Sequence, residues 1–387
     1  MARALAGRAL PSGRELARSP VNPYAISRVE VTLCTVPTQK PEADGTLTWS
    51  ETGVVIVEPR TAGGAQGLGY AWGDAAVAAV AARRLAGVVE GRDVRDSSGW
   101  WEAMVRSIRN FGRPGICSMA IAALDIALWD TKARCLDQPL HRLLGPVRDR
   151  VPIYGSGGFT SLSVDELVTQ MTGWTAMGIP RLKMKVGKDF GAREAEDLER
   201  VRAVRDAVGP AVELFVDANG AYSRKQARRV GEAFADLGVS WFEEPVSSDD
   251  LIGLAQLRAA LPMDVTAGEY GYDLVYFRRM LEAEAVDVLQ ADAARCAGLG
   301  EWLRAAACAA AFGIPFSSHC GPGLHAHAAT VPPNLRHIEW FADHVRIEAM
   351  LFEGTLVPEA GCLRPAEAPG LGLSLRRDEV RRFAGPG

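Results

Sequence analysis

Long apolar runs are missing from this chain. No stretch of 18 apolar residues occurs, so no membrane-spanning helix is expected. An excess of basic charge is missing as well. The 43 Lys and Arg are outnumbered by 47 Asp and Glu, giving a net charge of −4. With no long basic run, nucleic acid is not expected as the main partner. Patterned cysteine is a third absence. The seven cysteines (34, 117, 135, 296, 308, 320 and 362) form no CxxC pair. An odd, scattered set in a large chain fits reduced thiols and a cytoplasmic setting. Residues 1–20 carry four arginines but lack the apolar core of a secretory signal. Residues 1–21 are therefore expected to be a loose arm, or the product of an over-extended translation start.

What is present is a globular composition, with 48% hydrophobic and 23% charged residues over 387 positions. That length exceeds a typical domain of about 100–200 residues and predicts two domains. The first runs over 22–150. Strands are expected at 28–36 and 51–58, with a third after Gly67-Leu-Gly-Tyr, followed by helices at 74–90, 97–109 and 116–135. Strands followed by helices suggest an α+β domain. The last helix reads Ala-Ile-Ala-Ala-Leu-Asp-Ile-Ala-Leu-Trp-Asp and is apolar enough to require burial.

From 151 the pattern changes to short apolar runs at 152–156, 181–186, 212–217, 240–243, 264–268, 286–291, 314–317 and 337–340. Amphipathic stretches such as 191–208, 223–238 and 298–312 separate them. This alternation predicts a TIM-type barrel over 151–353. The helical pattern after the eighth strand is weak. Residues 354–387 begin rich in Pro and Gly and are expected to return to the first domain.

Polar residues mark the ends of these runs. Asp217, Glu243, Glu269, Asp292, His319 and Glu339 follow one another at intervals of 26, 26, 23, 27 and 20 residues, close to one βα unit. All C-terminal strand ends of a parallel barrel converge on one face. Asp217, Glu243 and Glu269 would end consecutive strands, and three carboxylates around one point suit a hard cation such as Mg²⁺. Alternation points only one of Glu243 and Glu244 inward, and Glu243 is preferred. Taken singly, each acid is as well explained as a helix cap or a surface charge.

Lys183 and Lys185 share one face of a strand. Like charge and burial would lower a lysine pKa enough for it to act as a base. His319 and Asp292 would be side by side on adjacent strands, the carboxylate fixing the imidazole tautomer. His325 and His327 lie on the following helix, and His141, His337 and His344 show no partner pattern. All five read as structural. Glu339, held neutral, could donate to a developing oxyanion. The set describes removal of the proton α to a carboxylate, with Lys185 and His319 on opposite faces of that carbon.

The chain thus resembles the enolase superfamily, mandelate racemase subgroup, over about 22–387. The resemblance rests on Asp217, Glu243 and Glu269 as metal ligands, Lys183-Met-Lys185, the His319–Asp292 pair and Glu339. It implies a modified (β/α)7β barrel with an α+β capping domain completed by the C-terminal tail. It also implies Mg²⁺ as cofactor and two lid segments, here 37–48 and about 61–73. Gly67-x-Gly69 opens no helix and is not read as a nucleotide fingerprint. Relatives that form lactones from muconate or epimerise dipeptides carry a lysine after strand six. Here Arg295 is the nearest cation, and it is no ordinary base near neutral pH.

The resemblance implies dehydration of a sugar acid, an aldonate or aldarate, to a 2-keto-3-deoxy acid. A polar lid, Thr38-Gln-Lys-Pro-Glu-Ala-Asp, is consistent with a polyhydroxy substrate. Racemisation or epimerisation with the same Lys185 and His319 is the alternative. More remote are a zinc hydrolase using His319, His325 and His327, and a barrel without activity. Asn219, Lys183 and Ser156 are the expected substrate contacts. Specificity is expected at the lids and at strand ends such as Tyr154–Gly157 and Cys320–Gly323. A small-molecule carboxylate and further copies of the chain are the expected partners.

Overall fold

The computed structural model describes residues 22–385, so the arm expected at 1–21 lies outside the described residues. The chain opens with a long antiparallel hairpin, β1 (Ile26–Ala43) and β2 (Thr48–Thr61), which β3 (Gly69–Trp72) extends to three strands. Val54–Val57 are buried on both faces of β2. The helix Ile116–Cys135 covers this sheet and, being apolar on nearly every side, is itself buried. Two aspartates in it are exceptions with clear partners. Asp125 accepts the Leu299 amide of the barrel at 2.7 Å. Asp130 accepts amides from Leu68 (2.7 Å) and from Leu371 in the C-terminal tail (2.6 Å).

Residues 37–48, expected as a polar loop, are instead mostly the outer half of the hairpin. Pairing lapses between Pro37 and Glu42, then resumes at Glu42–Trp49. Pro37 and Pro41 lack the N–H that a ladder needs, so a break there is what the backbone allows. The turn is Asp44-Gly45-Thr46-Leu47, where Asp44 Oδ1 accepts the amides of Thr46 (2.6 Å) and Leu47 (2.7 Å). A Cβ on Gly45 would lie 2.7 Å from the Ala218 carbonyl oxygen and 2.9 Å from that of Val186. Only glycine lets the hairpin tip sit so close to the barrel.

The barrel strands are β4 (Val151–Gly157), β5 (Arg181–Lys185), β6 (Glu213–Asp217), β7 (Val239–Glu243), β8 (Asp264–Ala267), β9 (Val288–Ala291), β10 (Phe316–Ser318) and β11 (Leu335–Phe341). Neighbours pair in parallel in chain order, and β11 pairs with β4 to close the ring. Tyr154, Phe215 and Trp241 fill the barrel interior with Val288 and His337, so the barrel is a packed core rather than a channel.

The weak helical pattern after β11 is a misreading. Ala342–Leu351 is a ten-residue helix. Its buried polar residues hide its apolar stripe, because they face the capping domain. Asp343 accepts from Thr52 (2.6 Å), Glu348 from Tyr70 (2.7 Å), and His344 stacks on Trp72 with centroids 3.4 Å apart. The tail then pairs with the barrel through Cys362–Leu363 on β4 before returning to the capping domain. There the helix Arg377–Phe383 packs on β1, and Arg377 pairs with Glu58.

Candidate active site

The strand register delivers the polar residues to one level. Lys185 is opposite Asp217, and Asp217 is opposite Glu243. Glu269 lies two residues beyond β8, after Gly268, whose φ is +139°. A Cβ on Gly268 would be 1.9 Å from the Gln290 carbonyl oxygen, so the turn that aims Glu269 requires glycine. Asp292 and His319 directly follow β9 and β10, and Glu339 lies within β11.

Carboxylate oxygens of Asp217, Glu243 and Glu269 lie within 4.8 Å of one another, and all three residues are buried. Glu269 Oε2 makes no hydrogen bond. Each acid has a cationic neighbour, Lys185 for Asp217, Lys183 for Glu243 and Arg295 for Glu269, and the spare Glu269 oxygen leaves a donor for a metal ion. The donor set, all oxygen, fits Mg²⁺. Burial and the neighbouring Asp217 push the Glu243 carboxyl up to about 8. Burial acts in the same sense on Glu269, but His319 and Arg295 outweigh it and hold it down at about 2.

Glu243 accepts from Lys183 Nζ at 2.7 Å and from Trp241 Nε1 at 3.1 Å. Glu244 departs from the expectation that it would face outward. Its φ of +38° turns it back into the interior, where it too is buried. Burial and the nearby Glu269 push its carboxyl well up.

Both lysines reverse the predicted shift. Burial favours their neutral form, yet Glu243 and Glu339 for Lys183, and Asp217 for Lys185, hold the protons more tightly than usual. Each lysine faces carboxylates rather than chiefly its twin, which residue spacing cannot reveal. Lys183 Nζ is 2.7 Å from Glu243, 2.9 Å from Glu339 and 3.6 Å from Asp217. Glu339 likewise departs from its expected neutral state. Burial would raise its pKa, but Lys183, His319 and Lys185 together outweigh burial and lower it. Its Oε2 accepts the Cys320 amide at 2.6 Å.

His319 Nδ1 is 2.9 Å from Asp292 Oδ2. A carboxylate can only accept there, so Nδ1 carries hydrogen and Nε2 is the working nitrogen. That nitrogen lies 3.4 Å from Glu269 Oε2 and 3.2 Å from Cys320 Sγ. Burial opposes the imidazolium, but Glu269 and the Asp292 hydrogen bond overcome it and raise the pKa. His325 is committed elsewhere, accepting the Ala293 amide at 2.9 Å and facing the Cys320 carbonyl at 2.9 Å. His327 bonds the Leu371 carbonyl at 3.2 Å. Neither joins His319 in a metal-binding cluster among the described residues; the groups near enough to share an ion with His319 are Cys320 and Glu339.

A cavity of about 490 Å³ opens above these groups. Lys185, Asn219, Glu269, Asp292, His319 and Glu339 form its floor. Lys183 and Ser156, both expected to touch substrate, are fully buried and do not line it. Lys183 is turned to its carboxylates. The hairpin tip lines the cavity as the first lid. Of the second lid, only Trp72 and Gly73 do, followed by Asp74 and Val77. Gly67 and Leu68 instead pack on the helix Ile116–Cys135. Trp49, Tyr270 and His344 also line the cavity and carry no motif that spacing could flag.

Comparisons with known proteins agree with this geometry. Residues 28–145 match the mandelate racemase / muconate lactonizing enzyme N-terminal domain, and 166–379 the enolase C-terminal domain-like family. The chain is 31% identical to L-talarate/galactarate dehydratase of Salmonella typhimurium, over 92% of this chain and 90% of that one. A mandelate racemase/muconate lactonizing enzyme-like protein from Rubrobacter xylanophilus is 48% identical, with a TM-score of 0.90 over 93% of this chain and all of the other (100%). L-Talarate dehydratase from Polaromonas sp. JS666, complexed with Mg and L-glucarate, is 30% identical with a TM-score of 0.84, covering 94% and 98%. Relatives named as dehydratases and as cycloisomerases both occur. With both domains matched and the Mg²⁺-type carboxylate cluster in place, the chain belongs to the mandelate racemase subgroup of the enolase superfamily.

Proposed function

We propose that this protein removes the proton α to the carboxylate of a sugar acid and then expels the β-hydroxyl as water, giving a 2-keto-3-deoxy acid. The observation that carries this reading is the placement of two proton-transfer groups across one cavity. Lys185 stands on β5 and His319 follows β10, three strands apart one way round the ring and five the other. A substrate on the floor between them meets a base on one face and an acid on the other.

Asp217, Glu243 and Glu269 are the residues that would hold Mg²⁺. When bound, it supplies the charge that anchors the substrate carboxylate and offsets the pull of Asp217 on the Lys185 proton. Lys185, made neutral, takes the α-proton as the C–H pair moves into an enediolate. Glu339 lies on the floor, and Lys183 pairs with it from beneath at 2.9 Å. Lys183 supplies positive charge from below as negative charge develops on the substrate. His319 Nε2 then gives its proton to the leaving β-oxygen, and the C–O bond breaks. Asp292 keeps that imidazole oriented and stabilises its charged form. Ketonisation of the resulting enol completes the reaction with no oxidant or reductant.

The test is incubation with Mg²⁺ and a sugar-acid panel in D₂O, reading 2-keto acid colorimetrically and α-deuterium by NMR. Formation of 2-keto-3-deoxy acid is expected. Deuterium exchange without keto acid would replace dehydration by racemisation or epimerisation. A product isomeric with its substrate and cyclised would make the protein a cycloisomerase.

A further inference from the structure

The cavity wall opposite the catalytic floor has a charge pattern of its own. Among the described residues, the cations lining the cavity are Lys185, Arg295 and, when protonated, His319, and all three belong to the floor. Arg295 is 3.1 Å from Glu269 and 3.8 Å from Asp292. The wall built by the capping domain and the helix Ala342–Leu351 offers Asp44, Glu51, Asp74 and Asp343 instead. Of the basic residues near that wall, one is turned away and the other is taken up by a wall acid. Lys40 pairs with Glu166, while Arg346 bonds Asp343 at 2.6 Å and the Pro37 carbonyl at 3.0 Å. Trp49, Trp72 and Phe341 add aromatic surface between the acids.

Taking the reaction above as given, we infer that the substrate is a monocarboxylate whose far end is neutral and hydroxylated, and that sugar diacids are selected against. One carboxylate is enough for the floor. A second, at the far end of a diacid, would meet four carboxylates, of which only Asp343 is ion-paired, and no free cation among the described residues, an arrangement that costs affinity. Hydroxyl groups suit the same wall, because each can donate to an ionised carboxylate. The C–H faces of a sugar chain suit the indole rings.

Glu51 is the wall residue most available for this role. It is exposed on β2, and its carboxylate has no hydrogen-bond or ion-pair partner among the described residues. The other three have duties within the fold. Asp44 closes the hairpin turn, Asp74 caps the helix that begins at Ala75, and Asp343 holds Thr52 and Arg346. The inference also separates this chain from the talarate/galactarate dehydratase it resembles, whose named substrates are diacids.

The test uses matched pairs, each an aldonate and the aldarate of the same configuration, with the full-length protein and Mg²⁺. The expected result is a kcat/KM at least about tenfold higher for the monoacid, the scale of one unfavourable charge contact. A diacid that equals or beats its monoacid overturns the inference. Glu51→Lys supplies the missing cation and is expected to move the ratio about tenfold toward the diacid, with Glu51→Gln moving it less in the same direction. Unchanged ratios in both variants, with circular dichroism confirming the fold, also overturn it. If α-deuterium enters neither member of any pair, the proton-abstraction reading fails, and the inference fails with it. Exchange with diacids preferred leaves that reading standing and rejects only the inference.

Discussion

The barrel floor and the capping wall enclose the same cavity but are built in opposite ways. On the floor, Asp217, Glu243, Lys183 and Glu339 are buried at strand ends, and every charge touches an opposite one. On the wall, Glu51 stands free, and Asp44 and Asp74 serve turns and caps at the surface. Low-dielectric, crossed charges make the floor intolerant of change, since removing one partner strands another. At Glu51, exposed on the hairpin and free of partners among the described residues, substitution costs little stability. Chemistry is thus fixed by strands, whereas selection is left to a replaceable surface.

Substitutions on either side of the cavity test this contrast. The largest expected effect is at the floor. Lys185→Ala and His319→Asn should each lower kcat by roughly 10²–10⁴-fold, the range for losing a positioned acid or base. Stopped-assay kinetics on an identified substrate would measure this, and a change only in KM would assign both residues to binding. Next is Glu269→Gln, which removes the oxygen now without a hydrogen bond. Calorimetry should show Mg²⁺ affinity falling by about tenfold or more. Unaltered affinity would move the cation site elsewhere.

A smaller effect is expected where wall and floor are joined. Tyr70→Phe removes the donor to buried Glu348 and should cost about 1–3 kcal/mol in urea unfolding. No loss would mean that water replaces the phenol. The smallest effect is one of pH. Burial pushes Glu348 up to about 7, and Asp125 and Glu42 up to about 8, each at a contact between the two domains. Below pH 4 these groups are protonated whether the protein is folded or unfolded. Between about 4 and 8 the folded state retains protons that the unfolded state releases, so stability falls as pH rises. Melting temperatures across pH 5–9 should decline, and Glu42→Gln should flatten part of that slope. A rising profile would show that other groups dominate.

Much of the floor was legible before any coordinates, because a parallel barrel converts spacing into proximity. Residues as distant as Asp217 and Glu339 each ended an apolar run, and the register set them on one face. The state of those residues was not legible. Whether Lys185 faces Lys183 or Asp217 depends on side-chain direction at the strand end, and that choice reversed its predicted pKa shift. The helix Ala342–Leu351 was obscured because contacts with another domain bury its polar side chains. The continuation of the hairpin past Pro37 was masked by prolines and charges that an outer strand tolerates. The acidic wall had no signature at all, since its members come from the hairpin, the helix cap at Asp74 and the helix after β11.

Asp130 gives the chain a property of timing. It lies in the first domain, yet one of the amides that satisfies it belongs to Leu371, 241 residues later. During synthesis the capping domain emerges first but must wait for almost the whole polypeptide before this carboxylate finds its last donor. A chain stopped after residue 353 should therefore leave its cap open to protease, while a chain that includes Leu371 resists. The two-domain outline conceals a cap that is completed by the far side of the barrel sequence.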